Sequence, residues 1–239
     1  MHLSNHVLCF LKCISLCFIT VALTACVDLS GSHAINTHKY VKHVNKNTKS
    51  NTIVTQSKFT KGQLHTMRGG LGIFSIGMNQ LRDSVDAQYH IPAYGTMWYN
   101  AGEVSQFIIK NYYTNKDRGP IILIGHSLGA NEQIKVARNL YKAGIPVALL
   151  VTVDAVSQTI VPPNVHYALN VYKPGFLPMF SGLKLRAVTP KTTFIENVNV
   201  NTVRGINVNH FTIDKDRIVQ AMILNRIEKA LVDGNKHQR

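Results

Sequence analysis

The residues with the clearest potential for chemistry in this chain are Gly-His-Ser-Leu-Gly at positions 125–129. They follow a short apolar run at residues 120–124 and precede a stretch whose apolar residues recur at helical spacing. A serine placed between a buried strand and a helix can be held in a sharp turn, and the flanking glycines leave room for the crowded backbone. The pattern predicts that Ser127 is a nucleophile whose hydroxyl stands at the carboxyl end of a strand.

A serine hydroxyl is a weak nucleophile at neutral pH, so the turn predicts an acid and a base later in the chain. Asp154 directly follows the predicted strand at residues 148–153 and is the only carboxylate between Glu132 and Glu196. It would lie at the same carboxyl edge of the sheet as Ser127. We predict Asp154 as the orienting acid, with Glu196 as the alternative.

The predicted general base is His210, which lies in a loop at residues 207–211 just before the last helical stretch. A loop can carry the imidazole back over the edge of a sheet. His126 and His166 are the alternatives, but His166 opens a strand and His126 lies inside the serine turn. We expect the His126 side chain to pack beside the site.

Acyl transfer also requires two hydrogen-bond donors for the oxyanion that develops in the transition state. The backbone N–H of Leu128, the residue after the nucleophile, is one candidate. The second is predicted at Gly70 or Leu71, because the glycine-rich residues 69–72 offer backbone that can approach a substrate closely. The alternative is a glycine turn needed only for chain reversal.

The hexapeptide Gly-His-Ser-Leu-Gly-Ala at residues 125–130 is similar to the nucleophile turn of lipases, esterases and thioesterases, and residues 63–232 as a whole resemble the α/β-hydrolase superfamily. The resemblance implies an α/β fold with a mostly parallel sheet flanked by helices, compact and without a large cap. It also implies a covalent acyl-enzyme on Ser127 and hydrolysis of an ester-type bond, with no metal and no organic cofactor. One departure is that Asp154 follows the first strand after the turn, whereas most members place the acid one strand later.

The order of strand-like and helix-like segments along the chain independently predicts a parallel sheet covered by helices. Strands are predicted at residues 63–67, 88–94, 120–124, 145–153, 165–172 and 193–198.

Helix boundaries are predicted from capping residues and from apolar spacing. Ser75 is a candidate cap for the helix that carries Met78, and Asn100 resembles the start of a capping box for a helix that runs to about residue 113. A helix follows Ser127 and ends at Gly144, and Asp214 is the candidate cap of the last helix.

The first residues of the chain differ in kind from the rest. Residues 14–23 form an uncharged, mostly apolar run preceded by Lys12, which is typical of a signal-peptide core. Residues 23–26 resemble the lipobox of bacterial lipoproteins, and this resemblance implies that Cys26 is lipidated; a plain secretory signal or an uncleaved anchor is the alternative. We therefore predict a signal peptide at 1–25, Cys26 with a flexible tether at 26–61, and the hydrolase domain at 62–239.

The lipobox resemblance implies a protein anchored in the cell envelope. Val27 is not the aspartate that retains such proteins at the inner membrane, so the outer membrane, facing the periplasm, is favoured. Cys9, Cys13 and Cys17 would leave with the signal peptide and Cys26 would be blocked by lipid. No disulfide and no cysteine ligand for a metal are expected in the mature domain.

The formal net charge of +14 is strongly basic. Such an excess favours anionic partners, and we interpret it as a solvated basic surface beside an anionic membrane. No zinc-finger spacing, aromatic RNA-binding motif or helix-turn-helix pattern accompanies the charge, so nucleic-acid binding is not predicted.

The substrate is predicted only as a class. The apolar residues of the segment 173–191 could line an acyl pocket or form a small lid, or they could simply pack over the core; they are Phe176, Leu177, Met179 and Phe180. The predicted function is hydrolysis of acyl esters, lysophospholipids or thioesters, with the membrane reached through the lipid anchor. The alternative function is a non-catalytic envelope-binding lipoprotein that retains a hydrolase fold.

Overall fold

A computed structural model describes residues 59, 61–70, 72–115, 118–175 and 182–236. All of these residues belong to one compact unit within residues 36–239. The predicted signal peptide, Cys26 and nearly all of the tether lie outside the described residues and stay predictions. The same holds for Leu71 and for the four apolar side chains Phe176, Leu177, Met179 and Phe180.

The centre of the described part is a six-stranded sheet in the order β2-β1-β3-β4-β6-β8, and every neighbouring pair of strands is parallel. A separate parallel pair is formed by β5 and β7. The strands are β1 (Gln63–Arg68), β2 (Ala93–Met97), β3 (Ile121–His126), β4 (Val147–Val153), β5 (Ile160–Val161), β6 (Val165–Tyr172), β7 (Arg186–Ala187) and β8 (Phe194–Asn199). The predicted α/β class with a parallel sheet is confirmed.

Four α-helices are described, and they cover both faces of this sheet. They are α1 (Gly77–Tyr89), α2 (Ala101–Thr114), α3 (Leu128–Lys142) and α4 (Arg217–Lys236), with short 3₁₀ turns at Trp98–Asn100, Val200–Thr202 and Ile213–Lys215. Within the described ranges, no helix has both the length and the apolar character needed to cross a membrane.

Side chains along a strand point alternately to the two faces of the sheet, and this alternation explains why helices lie on both faces. In β3, Ile122 and Ile124 join a buried cluster with apolar side chains of α1 and α4, whereas Ile121 and Leu123 join a second cluster with those of α2 and α3. Successive strand residues point to opposite faces, so a strand with helices on both sides is apolar throughout. All of β3 is accordingly buried.

The parallel arrangement brings the carboxyl ends of β1, β3, β4 and β6 to one edge of the sheet. The segments that follow these strands begin at residues 69, 127, 154 and 173. Loops at this edge are where open α/β sheets place their sites. Ser127 and Asp154 are therefore brought to the same edge by topology alone.

The strand predicted at residues 88–94 is wrong in its first half. Helix α1 continues to Tyr89, the chain turns at His90 with a left-handed φ of 54°, and the strand begins only at Ala93. The cause is a continuing helical period, since Leu81, Val85 and Tyr89 are spaced by four and are all buried.

Two of the predicted helix caps do not form as expected. Ile76, not Ser75, occupies the N-cap position of α1, because the Ser75 hydroxyl is used by His126 in the interior. Asn100 does occupy the N-cap position of α2, but its side chain makes no capping bond. Its amide group donates to Thr96 Oγ1 at 2.8 Å instead, since the preceding residues form a 3₁₀ turn.

The cap predicted for the last helix is also wrong. Asp216 caps α4, with its Oδ1 accepting the backbone N–H groups of Ile218 at 2.9 Å and Val219 at 3.1 Å. Asp214 lies two residues earlier, and its Oδ2 accepts the backbone N–H of Gly77 at the start of α1, at 2.8 Å. An acid near a helix start can serve a different helix, and only the packing of α1 against this loop selects which one.

Candidate active site

Ser127 connects β3 to α3 in a strained conformation. Its φ is 57° and its ψ is −123°, a region that residues with a side chain rarely adopt. The backbone is held there by a hydrogen bond from Ser127 N–H to the carbonyl of Val153 at 2.9 Å. The turn places Ser127 directly after β3 at the carboxyl edge of the sheet, where the residue is 9% exposed.

The two glycines of the turn are required by close packing. A Cβ atom on Gly125 would lie 2.3 Å from the carbonyl oxygen of Gly129, and one on Gly129 would lie 2.2 Å from the carbonyl oxygen of Met67 in β1. Both distances are far below van der Waals contact, so a side chain at either position would force the neighbouring backbone to move apart.

Asp154 follows β4 in another strained conformation, with a φ of 48°. Its backbone N–H donates to the carbonyl of Val171 at 2.8 Å, and its Oδ1 accepts the N–H of Lys173 at 3.1 Å. Asn131 of α3 stabilises the residues that follow Asp154, because the Oδ1 of Asn131 accepts the N–H of Val156 at 3.1 Å. The carboxylate is thus fixed by backbone on one side and leaves Oδ2 for another partner.

His210 lies between Asp154 and Ser127. Its Nδ1 is 2.7 Å from Asp154 Oδ2, and its Nε2 is 2.9 Å from Ser127 Oγ. A carboxylate can only accept, so the proton of the neutral imidazole is on Nδ1 and the lone pair is on Nε2. Nε2 can therefore accept the proton of Ser127. All three side chains are at most 9% exposed.

The alternative acid, Glu196, lies elsewhere. Its carboxylate receives two hydrogen bonds from Arg226 of α4, at 2.9 and 3.0 Å, and this ion pair holds the pKa of Glu196 below its ordinary value. Glu196 is in β8, whereas the acid that contacts His210 follows β4.

The alternative base, His166, is at the other edge of the sheet. It lies near the start of β6 and lines a cavity of about 610 Å³ together with Arg118 and Pro146. This cavity is at the amino ends of the strands, so neither it nor His166 contributes to the site around Ser127.

His126 does more than pack beside the site. Its Nε2 is 2.9 Å from the backbone carbonyl oxygen of His210, and its Nδ1 is 2.7 Å from Ser75 Oγ. Ser75 in turn accepts the backbone N–H of Gly69 at 3.1 Å. The sequence reasoning missed Ser75 in this role because its partner His126 is 51 positions away, and no local pattern signals the contact.

The predicted oxyanion donors lie at the start of α3 and in the loop after β1. Leu128 is the first residue of α3, so its N–H has no acceptor within the helix. A Cβ atom on Gly69 would lie 2.9 Å from Leu128 N, which shows how closely the two backbones approach. Gly70 has a left-handed φ of 48°, and its carbonyl accepts the indole N–H of Trp98 at 2.9 Å.

Exposed apolar side chains surround this edge near the histidine. Four of them, which we call the apolar rim, are more than 40% exposed: Ile73, Phe74, Ile76 and Phe211. The rings of Phe74 and Phe211 are 5.1 Å apart, and the ring of Phe211 is 5.4 Å from that of His210. Large apolar groups exposed next to a polar site are typical of surfaces that bind apolar ligands.

Within the described ranges, no three side chains of His, Cys, Asp and Glu are grouped so that they could hold a metal ion. The arrangement of Ser127, His210 and Asp154 is one in which the protein's own side chains can generate a nucleophile.

No protein-family model and no curated protein matches the chain. Among solved structures, it is similar to the NocB thioesterase domain from the nocardicin cluster, with 13% identity and a TM-score of 0.46 over 72% of this chain and 95% of that one. It is also similar to human thioesterase 2, with 10% identity and a TM-score of 0.45 over 73% and 98%. A cutinase-like protein from Cryptococcus sp. has 16% identity and a TM-score of 0.41 over 72% and 95%.

Proposed function

We propose that this protein is a serine hydrolase that cleaves acyl ester-type bonds through a covalent acyl group on Ser127. The observation that carries the proposal is the placement of His210, whose two ring nitrogens are 2.7 Å from Asp154 and 2.9 Å from Ser127. An alcohol, an imidazole and a carboxylate in this order are the working parts of acyl-transfer catalysis on several unrelated folds.

In the first half of the reaction, Ser127 Oγ attacks the carbonyl carbon of the substrate while its proton passes to His210 Nε2. The carbonyl electron pair moves to the oxygen, which becomes an oxyanion bound by the N–H of Leu128 and by a second donor at Gly70 or Leu71. Asp154 stabilises the imidazolium that forms. When the tetrahedral intermediate collapses, His210 returns the proton to the leaving alcohol or thiol.

The second half repeats these roles with water as the nucleophile. His210 Nε2 takes a proton from water as the water oxygen attacks the acyl carbon on Ser127. Collapse of the second intermediate releases the carboxylic acid and restores the serine hydroxyl. No electrons are exchanged with an external reagent, and each proton taken up by His210 is passed on to the leaving group or back to Ser127.

An apolar acyl group is the substrate feature that the site supports best. Within the apolar rim, the ring of Phe211 lies beside the imidazole of His210, and the ring of Phe74 lies beside that of Phe211. Burying part of an aromatic or aliphatic side chain against an acyl chain contributes roughly 25 cal/mol per Å² of apolar surface removed from water. We therefore propose acyl esters, including lysophospholipids, and acyl thioesters as the substrate class.

Membrane attachment through a lipid on Cys26 is a separate part of the proposal and rests on the lipobox resemblance of residues 23–26. We expect radiolabelled palmitate to be incorporated into the protein in a bacterial host, and the substitution Cys26→Ser to abolish the label and release the protein from the envelope fraction. Undiminished labelling of Cys26→Ser would contradict the anchor without affecting the hydrolase assignment.

The experiment that tests hydrolysis is labelling with a fluorophosphonate, which reacts readily only with an activated serine. We expect the wild-type protein to be labelled on Ser127 and to hydrolyse p-nitrophenyl esters and acyl thioesters, with rates that depend on acyl length. Ser127→Ala should lose both activities, and loss of such a nucleophile costs about 10⁶-fold in kcat.

A matched control is Ser84→Ala, since Ser84 lies on α1 away from the sheet edge. This variant should be labelled and should turn over substrate like the wild type. Equal turnover by Ser127→Ala and the wild type would disprove the assignment. The non-catalytic alternative depends on Asp154 or His210 being out of reach of its partner, and no described contact favours it.

A further inference from the structure

A chain of buried hydrogen bonds connects the loop of the base to the loop of the predicted oxyanion donors. It runs from the backbone carbonyl of His210 to His126 at 2.9 Å, from His126 to Ser75 at 2.7 Å, and from Ser75 to the backbone N–H of Gly69 at 3.1 Å. His126 and Ser75 are each 1% exposed. We call this set the Ser75–His126 chain.

The direction of every bond in the Ser75–His126 chain follows from its two ends. The carbonyl of His210 can only accept, so His126 carries its proton on Nε2. Burial, reinforced by the neighbouring His210, lowers the pKa of His126 to about 3, so the ring is neutral and Nδ1 has a free lone pair. The hydroxyl of Ser75 therefore donates to His126 Nδ1, and its oxygen accepts the N–H of Gly69.

Both ends of the chain are attached to parts of the site whose position matters for the reaction. At one end, the accepting carbonyl belongs to His210 itself, so the bond restrains the backbone of the base. At the other end, Gly69 packs directly on the nucleophile turn, since a Cβ atom there would lie 2.5 Å from the carbonyl oxygen of His126 and 2.9 Å from Leu128 N.

We infer that Ser75 and His126 are positioning residues. They hold the loop that contains Gly69 and Gly70 (the oxyanion loop) and the loop at residues 207–211 (the base loop) in place against the nucleophile turn at residues 125–129. This inference rests on the proposed hydrolysis. The hydroxyl of Ser75 and both ring nitrogens of His126 are engaged with partners within the protein, so we assign neither side chain a bond to substrate. They act on the site through the backbone of Gly69 and His210, and the ring of His126 also packs 5.0 Å from the ring of His210.

The two hydrogen bonds that His126 makes in the Ser75–His126 chain can be removed separately. Ser75→Ala removes the hydroxyl that connects His126 to Gly69. His126→Gln breaks the same connection at the bond to Ser75, because a glutamine amide reaches the position of Nε2 but not that of Nδ1. His126→Asn removes the bond to the carbonyl of His210, because an asparagine amide reaches the position of Nδ1 but not that of Nε2. The two variants of His126 thus separate restraint of the oxyanion loop from restraint of the base.

For Ser75→Ala we expect kcat on a p-nitrophenyl ester to fall about tenfold to a hundredfold with little change in KM, because donor placement matters most in the transition state. His126→Gln should match it, and the double variant Ser75→Ala/His126→Gln should lose no more than either single variant. His126→Asn should slow fluorophosphonate labelling of Ser127. Additive losses in the double variant, or unchanged kcat in Ser75→Ala, would overturn the inference.

Ser105→Ala is the matched control, because Ser105 is also buried and hydrogen-bonded but lies on α2, where its hydroxyl donates to the carbonyl of Ala101 at 2.7 Å. Its kcat should equal that of the wild type. If Ser105→Ala loses as much kcat as Ser75→Ala, the effect is one of general stability and the inference fails.

Nuclear magnetic resonance of the wild-type protein provides a test that needs neither turnover nor a variant. The ¹⁵N signals of His126 should show a protonated Nε2 and an unprotonated Nδ1, and the amide of Gly69 should exchange slowly with solvent. A proton on Nδ1 of His126 would overturn the inference. A wild-type protein that shows the expected signals but does not react with fluorophosphonate would overturn the proposed hydrolysis while leaving the hydrogen-bond chain supported.

Discussion

At the scale of single residues, the site is marked by backbone strain. Ser127 and Asp154 both adopt left-handed φ values without being glycine, and among the described residues only His90 shares this feature. Such conformations cost about 1–3 kcal/mol each and persist where the surrounding structure over-determines them. Here the backbone N–H groups of Ser127 and Asp154 donate to the carbonyls of Val153 and Val171 in the neighbouring strands, and these bonds hold the two conformations in place.

A residue-scale prediction concerns the acid. Asp154→Asn keeps the size of the side chain, but its amide group can donate to Nδ1 of His210 and so favours the tautomer that cannot accept the Ser127 proton. We expect kcat to fall by about 10⁴-fold. The measurement is steady-state hydrolysis of a p-nitrophenyl ester.

Glu196→Gln is the control for the acid, since Glu196 is the other carboxylate that the sequence offered and it pairs with Arg226 instead. It should keep wild-type kcat and lose about 1 kcal/mol or less of unfolding free energy. A larger loss of kcat in Glu196→Gln than in Asp154→Asn would show that the acid has been misassigned.

At the scale of elements, the site depends on how closely α3 approaches β1. Gly129 of α3 packs against the carbonyl of Met67, with no space for a side chain. The start of α3 is thereby pressed against the end of β1, which brings the N–H of Leu128 next to the loop at Gly69. A compact contact between two elements thus determines the spacing of the two predicted oxyanion donors.

The element-scale prediction compares two glycines in helices. Gly129→Ala should lower the unfolding free energy by about 1–3 kcal/mol through overpacking and should slow fluorophosphonate labelling as α3 moves away from β1. Gly102→Ala, in α2, meets nothing within 4 Å and should raise the unfolding free energy by about 0.4–1 kcal/mol. Urea unfolding measures both, and a stability loss in Gly102→Ala would contradict the packing described.

At the scale of the whole molecule, Asp214 connects distant parts of the chain. It is fully buried after the base loop, and its Oδ2 accepts the N–H of Gly77, 137 positions away. Its Oδ1 has no hydrogen-bond partner among the described residues. Burial raises the pKa of Asp214 to about 6 from its ordinary value of 3.8, although the bond from Gly77 opposes the shift.

The consequence is a pH dependence of global stability. Because the folded pKa is raised, the folded state binds the proton more tightly than the unfolded state between pH 3.8 and about 6. The contribution of Asp214 to the unfolding free energy is therefore greatest below this window and is lost as the pH rises through it, by an amount on the order of 3 kcal/mol.

The measurement is urea unfolding at several pH values for the wild type and Asp214→Asn, which has no titrating group at this position. The wild-type free energy minus that of the variant should fall between pH 4 and 7 and stay constant above that range. A difference that rises with pH would show that the folded-state pKa of Asp214 is lowered instead.

The sequence alone was sufficient for the α/β class, for the strand, turn and helix around Ser127, and for a short choice of partners in the order Ser, Asp, His. These conclusions depend on local properties: apolar periodicity, glycine at crowded positions and the fact that parallel strands end at one edge. The choice of Asp154 over Glu196 followed from chain position, and only the folded sheet placed Glu196 beside Arg226 instead.

Tertiary structure alone decided the partners of Ser75, His126 and Asp214. Each of these outcomes depends on hydrogen bonds or packing between segments that are far apart in the chain. A serine or an aspartate near a helix start has the same local signature whether it caps that helix or reaches across the fold. The docking of α1 and of the base loop at the carboxyl edge selects between the two, because a buried polar group must find its partner wherever packing places one.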